Sequence, residues 1–399
     1  MSLKVLHLST TGADGGGAGR AAAALDAAMK QQGVDSRLQT ASGIRFHLAQ
    51  RADRQLWRLQ RSPVKTWRSP ARFGSLSASQ INASDADVVN LHWVTNGYLS
   101  IEEIGRITKP IVWSLYDMWA FCGTEHYGVD SPDARWRTGY TAHNRPRDES
   151  GIDIDKHAWE RKKRHWHSAP VVAASTWLTQ AARSSALMGE WPVTTVPHVI
   201  DTDAFAPIAR HEARRRLGLN PKTPLILFLS SAGIGDARKG FNLLEQSLPA
   251  VKAEIPDVAV LAVGPPTPEQ THGGGVPILW FGTTKDNEQL RDLYCAADVT
   301  AVPSREDNMP LTAMEAQTCG RPVVAFRIGG LPDIVEHNVT GYLAQPGEVD
   351  ALASGLIHAI EESQNHDLWG ASARERAVST WSVPVVASKY LDVYEQALS

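Results

Sequence analysis

The sequence predicts an α/β protein built from two units, each with its own parallel β-sheet. The second half gives the clearest signal, because short apolar segments alternate there with helical patterns; the strands are 225–230, 258–264, 278–282 and 298–302, and the helices are 241–254 and 288–297. The first half opens similarly, with a strand at 4–9, a glycine-rich loop and an alanine-rich helix at 21–32 that Gly33 closes. Such alternation is typical of βαβ units. We therefore predict two Rossmann-like domains, over residues 1–197 and 198–381.

The composition is that of an ordinary globular protein. The 399 residues are 43% hydrophobic and 21% charged, and the formal net charge of −3 argues against a nucleic-acid-binding protein. The three cysteines (Cys122, Cys295 and Cys319) have no metal-binding spacing and favour a reducing compartment. We find neither a signal-peptide pattern nor a run of about 18 apolar residues, so we expect a cytoplasmic protein that does not span a membrane.

Two carboxylates near residue 310 form the main candidate site. Asp307 lies in the loop after the strand at 298–302, and Glu315 lies in the helix that follows, with Pro310 in its first turn. Loops at the carboxyl ends of parallel strands are where open α/β sheets bind ligands. Glu315 lies on a mostly apolar helix and needs hydrogen-bond donors, which a ribose or sugar diol supplies. A helix cap or an ion pair with an arginine is the structural alternative.

Two loops after strands are candidates for binding phosphate. In the first, Gly15, Gly16 and Gly17 precede the alanine-rich helix, which is typical of a phosphate or sugar cradle, although a tight turn without ligand is the alternative. No acid follows the second strand at 36–40, which argues against a dehydrogenase. In the second loop, Arg238 and Lys239 precede a helix N-terminus, where cations oppose the macrodipole but suit a bound diphosphate.

The first half contains further polar and basic segments. Strands at 87–93 and 110–121 contain aromatic and acidic residues. Asp117 in the second strand and His126 beyond it are site candidates; a lone histidine is otherwise a packed or surface residue. Residues 45–72 hold eight basic residues with interleaved aromatic and apolar ones, including Lys65 and Trp67. This pattern predicts either peripheral contact with an anionic membrane or a solvated helix that buries its tryptophans.

Residues 128–168 are either an acceptor-binding insert or a disordered one.

The segment from Asp307 to Glu315 resembles the acidic-X7-acidic signature of the retaining GT-B glycosyltransferases of family 4. The first acid of that signature is usually Glu; here it is Asp307, and Glu306 lies one position too early. The segment 329–335 resembles the glycine turn of the same family. Residues 90–127 resemble its exopolysaccharide-type members, whose His-Asp-Met-Trp run has Tyr116 in its first position here.

The resemblance implies a GT-B fold, with two domains facing across a cleft and a C-terminal helix (382–399) that returns to the first domain. It implies a nucleotide-sugar donor such as a UDP- or GDP-sugar, bound without metal or cofactor. Glu315 would bind the ribose, Lys239 and Arg238 the diphosphate, and Asp307 the sugar, while His126 or His92 would replace the family histidine. The rest of the implied donor site comprises Gly233, Glu306, Asn308, Met309, Pro310, Leu311, Thr312, Gly329 and Gly330.

The resemblance also implies a saccharide or lipid-linked acceptor, bound by the first domain, and a role in surface polysaccharide synthesis. The Asp-x-Asp at 201–203 is interpreted as a capping turn because it lies in the crossover between the domains. Two alternatives remain open. A GT-B sugar epimerase would act on the donor without an acceptor, and a catalytically silent GT-B subunit would only bind a partner glycosyltransferase.

Overall fold

The chain forms two compact units. The computed structural model describes residues 2–63, 67–231, 233–265, 272–284 and 286–399. The first unit comprises Met1–Pro197 together with Ala387–Ser399, and the second comprises His198–Val386. Lys65 of the basic segment lies outside the described residues.

The strands and helices alternate through most of the described chain. The strands are β1 Lys4–Ser9, β2 Asp35–Thr40, β3 Gln60–Arg61, β4 Val88–Leu91, β5 Ile111–Leu115, β6 Ser150–Gly151, β7 Val171–Ala173, β8 Val193–Thr195, β9 Leu225–Leu229, β10 Ala259–Val263, β11 His272–Gly273, β12 Val276–Gly282, β13 Val299–Val302, β14 Val323–Phe326 and β15 Gly341–Ala344. The helices are α1 Gly17–Gln31, α2 Gly43–Trp57, α3 Ala78–Asn82, α4 Ile101–Ile104, α5 Arg135–Thr138, α6 Ile154–His165, α7 Thr176–Arg183, α8 Arg210–Arg216, α9 Phe241–Glu254, α10 Asn287–Ala296, α11 Leu311–Thr318, α12 Leu331–Ile334, α13 Val349–Asn365, α14 Leu368–Trp381 and α15 Val383–Leu398.

Each unit is built on a parallel sheet. Within the described ranges, the sheet of the first unit has the strand order β2-β1-β4-β5-β7-β8, and that of the second has the order β11-β12-β10-β9-β13-β14-β15. The short strand β11 is antiparallel to β12, whereas the other neighbours in both sheets pair in parallel. The central strands β4, β10, β13 and β14 are buried along their whole length, as expected when helices cover both faces of a parallel sheet. The predicted α/β class is therefore confirmed.

The helices differ from the predictions in two places. Helix α1 begins at Gly17 rather than at residue 21, so Gly17 is the first helical residue and Gly16 its N-cap. Helix α14 was not predicted, since its apolar residues have little helical periodicity.

The terminal helix contributes to the core of the first unit. Tyr390 and Tyr394 of α15 are buried. The Tyr394 hydroxyl donates a hydrogen bond to Asn90 Oδ1 over 2.8 Å, and the Tyr390 and Ser114 hydroxyls are 3.1 Å apart. Residues from the end of the chain thus complete polar contacts with β4 and β5.

Candidate functional site

Two loops at the carboxyl edge of the second sheet meet in an ion pair. Because β9 and β13 are neighbours, the segments that follow them lie at the same edge. Lys239 lies in a short 3-10 turn after β9, and its Nζ is 2.6 Å from Asp307 Oδ2 in the loop after β13. The Ser304 hydroxyl donates to the same carboxylate oxygen over 3.2 Å. Both charged side chains are largely buried, at 22% and 10% exposure.

Two glycines allow the backbones around this pair to approach closely. Gly240 has φ +71°, and a Cβ there would lie 1.9 Å from the carbonyl oxygen of Pro303. Gly329 has φ +49°, and a Cβ there would lie 1.8 Å from the carbonyl oxygen of Asp307. Any larger residue at either position would force the loops apart. The glycine turn at 329–330 therefore supports the loop that carries Asp307.

Glu315 lies in α11, the helix that follows the Asp307 loop. It is 2% exposed, and its Oε2 accepts a hydrogen bond from the Tyr294 hydroxyl of α10 over 2.8 Å. A buried carboxylate needs such donors. Asn308, Met309, Pro310 and Leu311 are buried around the start of the helix, and Thr312 is half-buried.

The other residues predicted for the donor site lie around the same loops. The Arg238 guanidinium donates to the Glu306 carbonyl oxygen over 3.2 Å and to Asp236 Oδ2 over 3.3 Å, so Arg238 connects the two loops. The side chain of Glu306 itself is exposed. Gly233 is buried with φ +73°, and Gly330 is the N-cap of α12.

His198 is a candidate that the sequence pattern does not reveal. Burial lowers its pKa to about 4, while the nearby negative charge of Asp307 opposes that shift. A neutral imidazole therefore lies close to the Lys239–Asp307 pair. His198 is the first residue of the second unit.

In the first unit, Asp117 and His126 form one hydrogen-bonded cluster. Asp117 follows β5, and its Oδ2 is 2.6 Å from His126 Nδ1 and 3.1 Å from the indole nitrogen of Trp93, which follows β4. The backbone N–H of Trp119 donates to Asp117 Oδ1 over 2.9 Å. On the other side of the ring, His126 Nε2 is 2.8 Å from the Ser69 hydroxyl. No sequence pattern indicated Ser69.

A second row of aromatic polar groups lies beside this cluster. His92 Nδ1 is 2.7 Å from the Tyr116 hydroxyl, and His92 Nε2 is 2.8 Å from His7 Nδ1. His7 is fully buried, and burial lowers its pKa to about 4. Burial likewise raises the pKa of Tyr116 well above its usual value. His92 is thus the histidine that contacts Tyr116, whereas His126 contacts Asp117.

A buried lysine supports the loop from Asp117 to His126. Lys162 of α6 donates to the carbonyl oxygens of Trp119, Cys122 (3.1 Å) and Gly123 (2.8 Å), and its Nζ is 3.9 Å from the centroid of the Trp119 ring. Desolvation lowers the pKa of Lys162 to about 7. The segment 128–168 is therefore, in its helical part, a structural support for this loop.

The glycine loop of the first unit leads directly into α1. Gly16 and Gly17 are exposed at the N-terminus of α1, with open space where a Cβ would be. Gly15 donates its N–H to the carbonyl oxygen of Gly12 in a turn. The close approaches involve Gly15 and Gly19. A Cβ at Gly15 would lie 2.4 Å from the Thr11 side chain, and a Cβ at Gly19 would lie 2.4 Å from the carbonyl oxygen of Gly12. Gly15 and Gly19 are therefore the positions at which this turn leaves no room for a side chain.

Among the described residues, no group of three or more His, Cys, Asp or Glu side chains is arranged to hold a metal ion. None of the described helices is long and apolar enough to cross a bilayer.

The fold follows from comparison with solved structures. Sucrose-phosphate synthase from Thermosynechococcus elongatus superposes with a TM-score of 0.68 at 17% identity, covering 98% of both chains. HepE of Anabaena, solved in complex with UDP and glucose, superposes with a TM-score of 0.65 at 17% identity, covering 98% of this chain and 99% of that one. The protein therefore has the GT-B fold.

Sequence comparison finds similarity to glycosyltransferases over part of the chain. The model described as "Glycosyl transferases group 1" matches residues 223–362, the segment that carries Lys239, Asp307 and Glu315. A D-inositol 3-phosphate glycosyltransferase from Xylanimonas cellulosilytica is 35% identical over 247 residues, which are 57% of this chain and 58% of that relative's length. Residues 223–362 are thus similar to the group 1 glycosyl transferases, and the chain spans less than two thirds of the length of this relative.

Proposed function

We propose that this protein is a retaining glycosyltransferase of family 4, which transfers a hexose-type sugar from a nucleoside diphosphate sugar to a saccharide or lipid-linked acceptor. Surface polysaccharide synthesis is the proposed pathway. The observation that carries the proposal is the Lys239–Asp307 pair at the carboxyl edge of the second sheet, with Glu315 in the helix that follows. The complex of HepE with UDP and glucose supports a UDP-sugar as the donor.

In the proposed mechanism, the second unit holds the donor. Glu315 accepts hydrogen bonds from the ribose hydroxyls, and Asp307 orients the sugar. Lys239, with Arg238 beside it, neutralises the charge that develops on the departing diphosphate, which is the main electrostatic requirement of the reaction. The acceptor attacks from the face that the diphosphate leaves, so the anomeric configuration is retained. This mechanism uses no metal ion.

We assign the acceptor hydroxyl to the Asp117–His126 cluster of the first unit. The Asp117 carboxylate already accepts hydrogen bonds from Trp93 and from the backbone of Trp119. These contacts fix its orientation, and the support from Lys162 holds the loop in place. Asp117 is therefore proposed to orient the acceptor.

Thermal shift and transfer assays test the proposed function directly. The protein is mixed with UDP-, GDP-, ADP- and dTDP-sugars, with magnesium or with EDTA, and then with a panel of acceptors that includes D-inositol 3-phosphate. We expect a stabilisation by one nucleotide class that EDTA does not remove, and transfer with retained configuration. Donor turnover without any acceptor would instead identify an epimerase or hydrolase.

Glu315→Ala tests the ribose contact. A hydrogen bond to a charged group contributes about 1.5–3 kcal/mol, so we expect the affinity for UDP to fall about tenfold or more. Glu361→Ala, at an exposed position of α13, is the matched control and should bind UDP like the wild type. Isothermal titration calorimetry measures both. Unchanged affinity in a folded Glu315→Ala protein would remove Glu315 from the site.

We further propose that the first unit contacts an anionic membrane surface. Ile44 and Leu48 lie one turn apart on α2 and are 74% and 59% exposed, and Trp67 is 46% exposed, with the Arg54 guanidinium 5.5 Å from its ring centroid. Arg45 and Arg51 are exposed on the same helix. An apolar strip flanked by cations suits anionic lipid.

Vesicle sedimentation tests this membrane contact. We expect binding to vesicles with anionic lipid at low salt, weaker binding to neutral vesicles, and loss of binding in the Ile44→Ser/Leu48→Ser double variant. Val339→Ser removes an exposed apolar side chain from the second unit and should leave vesicle binding unchanged. Equal sedimentation of all three proteins would contradict the proposed surface.

A further inference from the structure

A buried serine lies against the imidazole of His126 in the first unit. The Ser69 hydroxyl oxygen is 2.8 Å from His126 Nε2, and on the other side of the ring His126 Nδ1 is 2.6 Å from Asp117 Oδ2. Ser69 is 2% exposed, whereas the Asp117 side chain is 14% exposed. A substrate therefore reaches the carboxylate more readily than the hydroxyl, and the arrangement suits a serine that supports Asp117 rather than a nucleophilic one.

The hydrogen-bond partners define which ring nitrogen of His126 carries the proton. An ionised carboxylate only accepts hydrogen bonds, so the contact with Asp117 requires an N–H on Nδ1. The indole nitrogen of Trp93 is 3.1 Å from Asp117 Oδ2 and 3.3 Å from His126 Nδ1, so its N–H favours the carboxylate. Nε2 of a neutral ring is then an acceptor, and the Ser69 hydroxyl is the donor that faces it.

A second hydroxyl competes for the single proton of the Ser69 hydroxyl. Thr95 Oγ1 is 3.3 Å from the Ser69 hydroxyl oxygen, a longer distance than the 2.8 Å between that oxygen and His126 Nε2. Hydroxyl donors prefer acceptors within about 3.0 Å. The ring nitrogen is therefore the better acceptor, and the Ser69 proton is directed at His126.

The backbone holds Ser69 in place independently of its side chain. The Ser69 N–H donates to the Thr124 carbonyl oxygen over 2.8 Å, and the Ser69 carbonyl oxygen accepts from the Trp119 indole over 2.8 Å. Arg68, directly before Ser69, pairs with Glu125 in an isolated antiparallel bridge. These contacts do not involve the hydroxyl, so we expect Ser69→Ala to fold.

We propose that Ser69 is a positioning residue of the acceptor site, whose hydroxyl holds His126 with its proton on Nδ1 and so keeps the imidazole directed at Asp117. Asp117 is then the group that contacts the acceptor hydroxyl, and His126 acts through Asp117 rather than on the acceptor. The role in transfer rests on the proposed function, whereas the hydrogen-bond arrangement does not.

Nuclear magnetic resonance of the full-length protein, with isotope-labelled nitrogen in histidine, tests the arrangement without any substrate. The ring-nitrogen resonances distinguish a nitrogen that carries a proton from one that does not. At alkaline pH we expect a protonated Nδ1 and an unprotonated Nε2 for His126, whose signals are assigned by their loss in His126→Gln. In Ser69→Ala the Nε2 resonance should shift, because that nitrogen loses its donor.

Ser247→Ala is the matched control for the resonance measurement. Ser247 is a buried serine of α9 in the second unit, and its hydroxyl donates to the Leu244 carbonyl oxygen over 2.6 Å. This variant should leave the His126 resonances unchanged. A protonated Nε2 in the wild type would overturn the proposal, as would an unchanged Nε2 resonance in folded Ser69→Ala.

Transfer kinetics measure the consequence for the reaction, with UDP-glucose as the donor and D-inositol 3-phosphate as the acceptor. We expect Ser69→Ala to lower kcat about threefold to tenfold and to leave the KM of the donor unchanged, as for the loss of one uncharged hydrogen bond. Ser247→Ala should keep the wild-type kcat. An unchanged kcat in Ser69→Ala would overturn the positioning role. Absence of transfer by the wild type would count against the proposed function, and the His126 resonances would still decide the arrangement.

Discussion

At the scale of single residues, the Lys239–Asp307 ion pair decides how much positive charge the site offers a diphosphate. The Asp307 carboxylate lies 2.6 Å from the Lys239 ammonium and competes with a diphosphate for it. We expect Asp307→Asn to bind UDP about threefold to fivefold more tightly, since an ion pair of this kind contributes up to about 1 kcal/mol. Lys239→Met should weaken UDP binding about tenfold.

The double variant completes this thermodynamic cycle. Asp307→Asn is expected to tighten UDP binding only because it frees the Lys239 ammonium for the diphosphate. In Lys239→Met/Asp307→Asn that ammonium is absent, so the protein should bind UDP as weakly as Lys239→Met alone. Calorimetry on the four proteins gives the coupling energy. Weaker binding by Asp307→Asn than by the wild type would mean that Asp307, not Lys239, makes the stronger contact with the nucleotide.

At the same scale, the buried His7 makes the stability of the protein depend on pH. Its pKa in the folded protein is lowered to about 4 by burial, below the ordinary value of 6.5. The unfolded chain therefore binds more protons between pH 6.5 and pH 4, and the free energy of unfolding falls as the pH drops through this range. At about 1.4 kcal/mol per pH unit, the loss is about 3 kcal/mol by pH 4.

The pH dependence of urea unfolding checks the contribution of His7. His7→Gln removes the titrating group, so its unfolding free energy should change less between pH 7 and pH 4 than that of the wild type. The starting stability of this variant can differ, because the hydrogen bond to His92 changes, but the slope with pH is the readout. His143→Gln, at an exposed position, should keep the wild-type slope. Parallel slopes for wild type and His7→Gln would contradict a buried neutral His7.

At the scale of elements, the turn before α12 fixes the position of the Asp307 loop. In Gly329→Ala the new Cβ meets the Asp307 carbonyl oxygen, so the loop must shift. Gly347 has a similar positive φ of +79° with nothing within 4 Å, so Gly347→Ala carries only the cost of the left-handed conformation, about 1–2 kcal/mol. We expect Gly329→Ala to lose more stability and, in addition, to lose UDP affinity, which Gly347→Ala retains. Equal effects of the two variants on UDP binding would show that the turn does not control the loop.

The elements also show where sequence patterns are informative. Helix α9 has the predicted bounds, 241–254, because Gly240 precedes it and its apolar face is regular. Helix α14 has no such regularity. Its N-cap, Asp367, has a left-handed backbone conformation that no sequence pattern indicates. Patterns of period 3.6 reveal helices that cover a sheet on one side, but not helices whose burial comes from several directions.

At the scale of the whole molecule, the contacts that build the sites join residues too far apart in sequence for pattern analysis. Tyr294 and Glu315 are 21 residues apart, and Lys239 and Asp307 are 68 apart. The sequence assigned Lys239 and Asp307 separately, through loop positions and the family resemblance. It did not assign Tyr294, Ser69 or His198, because a hydroxyl or imidazole becomes informative only when its partner is known.

The longest-range contacts involve the terminal helix, and they stabilise the first unit. Tyr394 donates to Asn90, 304 residues earlier, and both side chains are fully buried. In Tyr394→Phe the Asn90 oxygen loses this donor inside the core, which costs about 1–3 kcal/mol. We expect the first unit to unfold at a lower urea concentration. Tryptophan fluorescence measures this transition, because most of the thirteen tryptophans lie in residues 57–191.

Tyr342→Phe is the control for this variant, since Tyr342 is half-buried in β15 of the second unit. It should leave the fluorescence transition of the first unit in place, whereas Tyr394→Phe shifts it. An equal shift in both would mean that the two units unfold as one. A shift in neither would mean that the layer formed by Asn90, Ser114 and Tyr390 retains its stability without the Tyr394 hydroxyl. The expected outcome would show that the last thirteen residues, Ala387–Ser399, stabilise the same unit as the first strands of the chain.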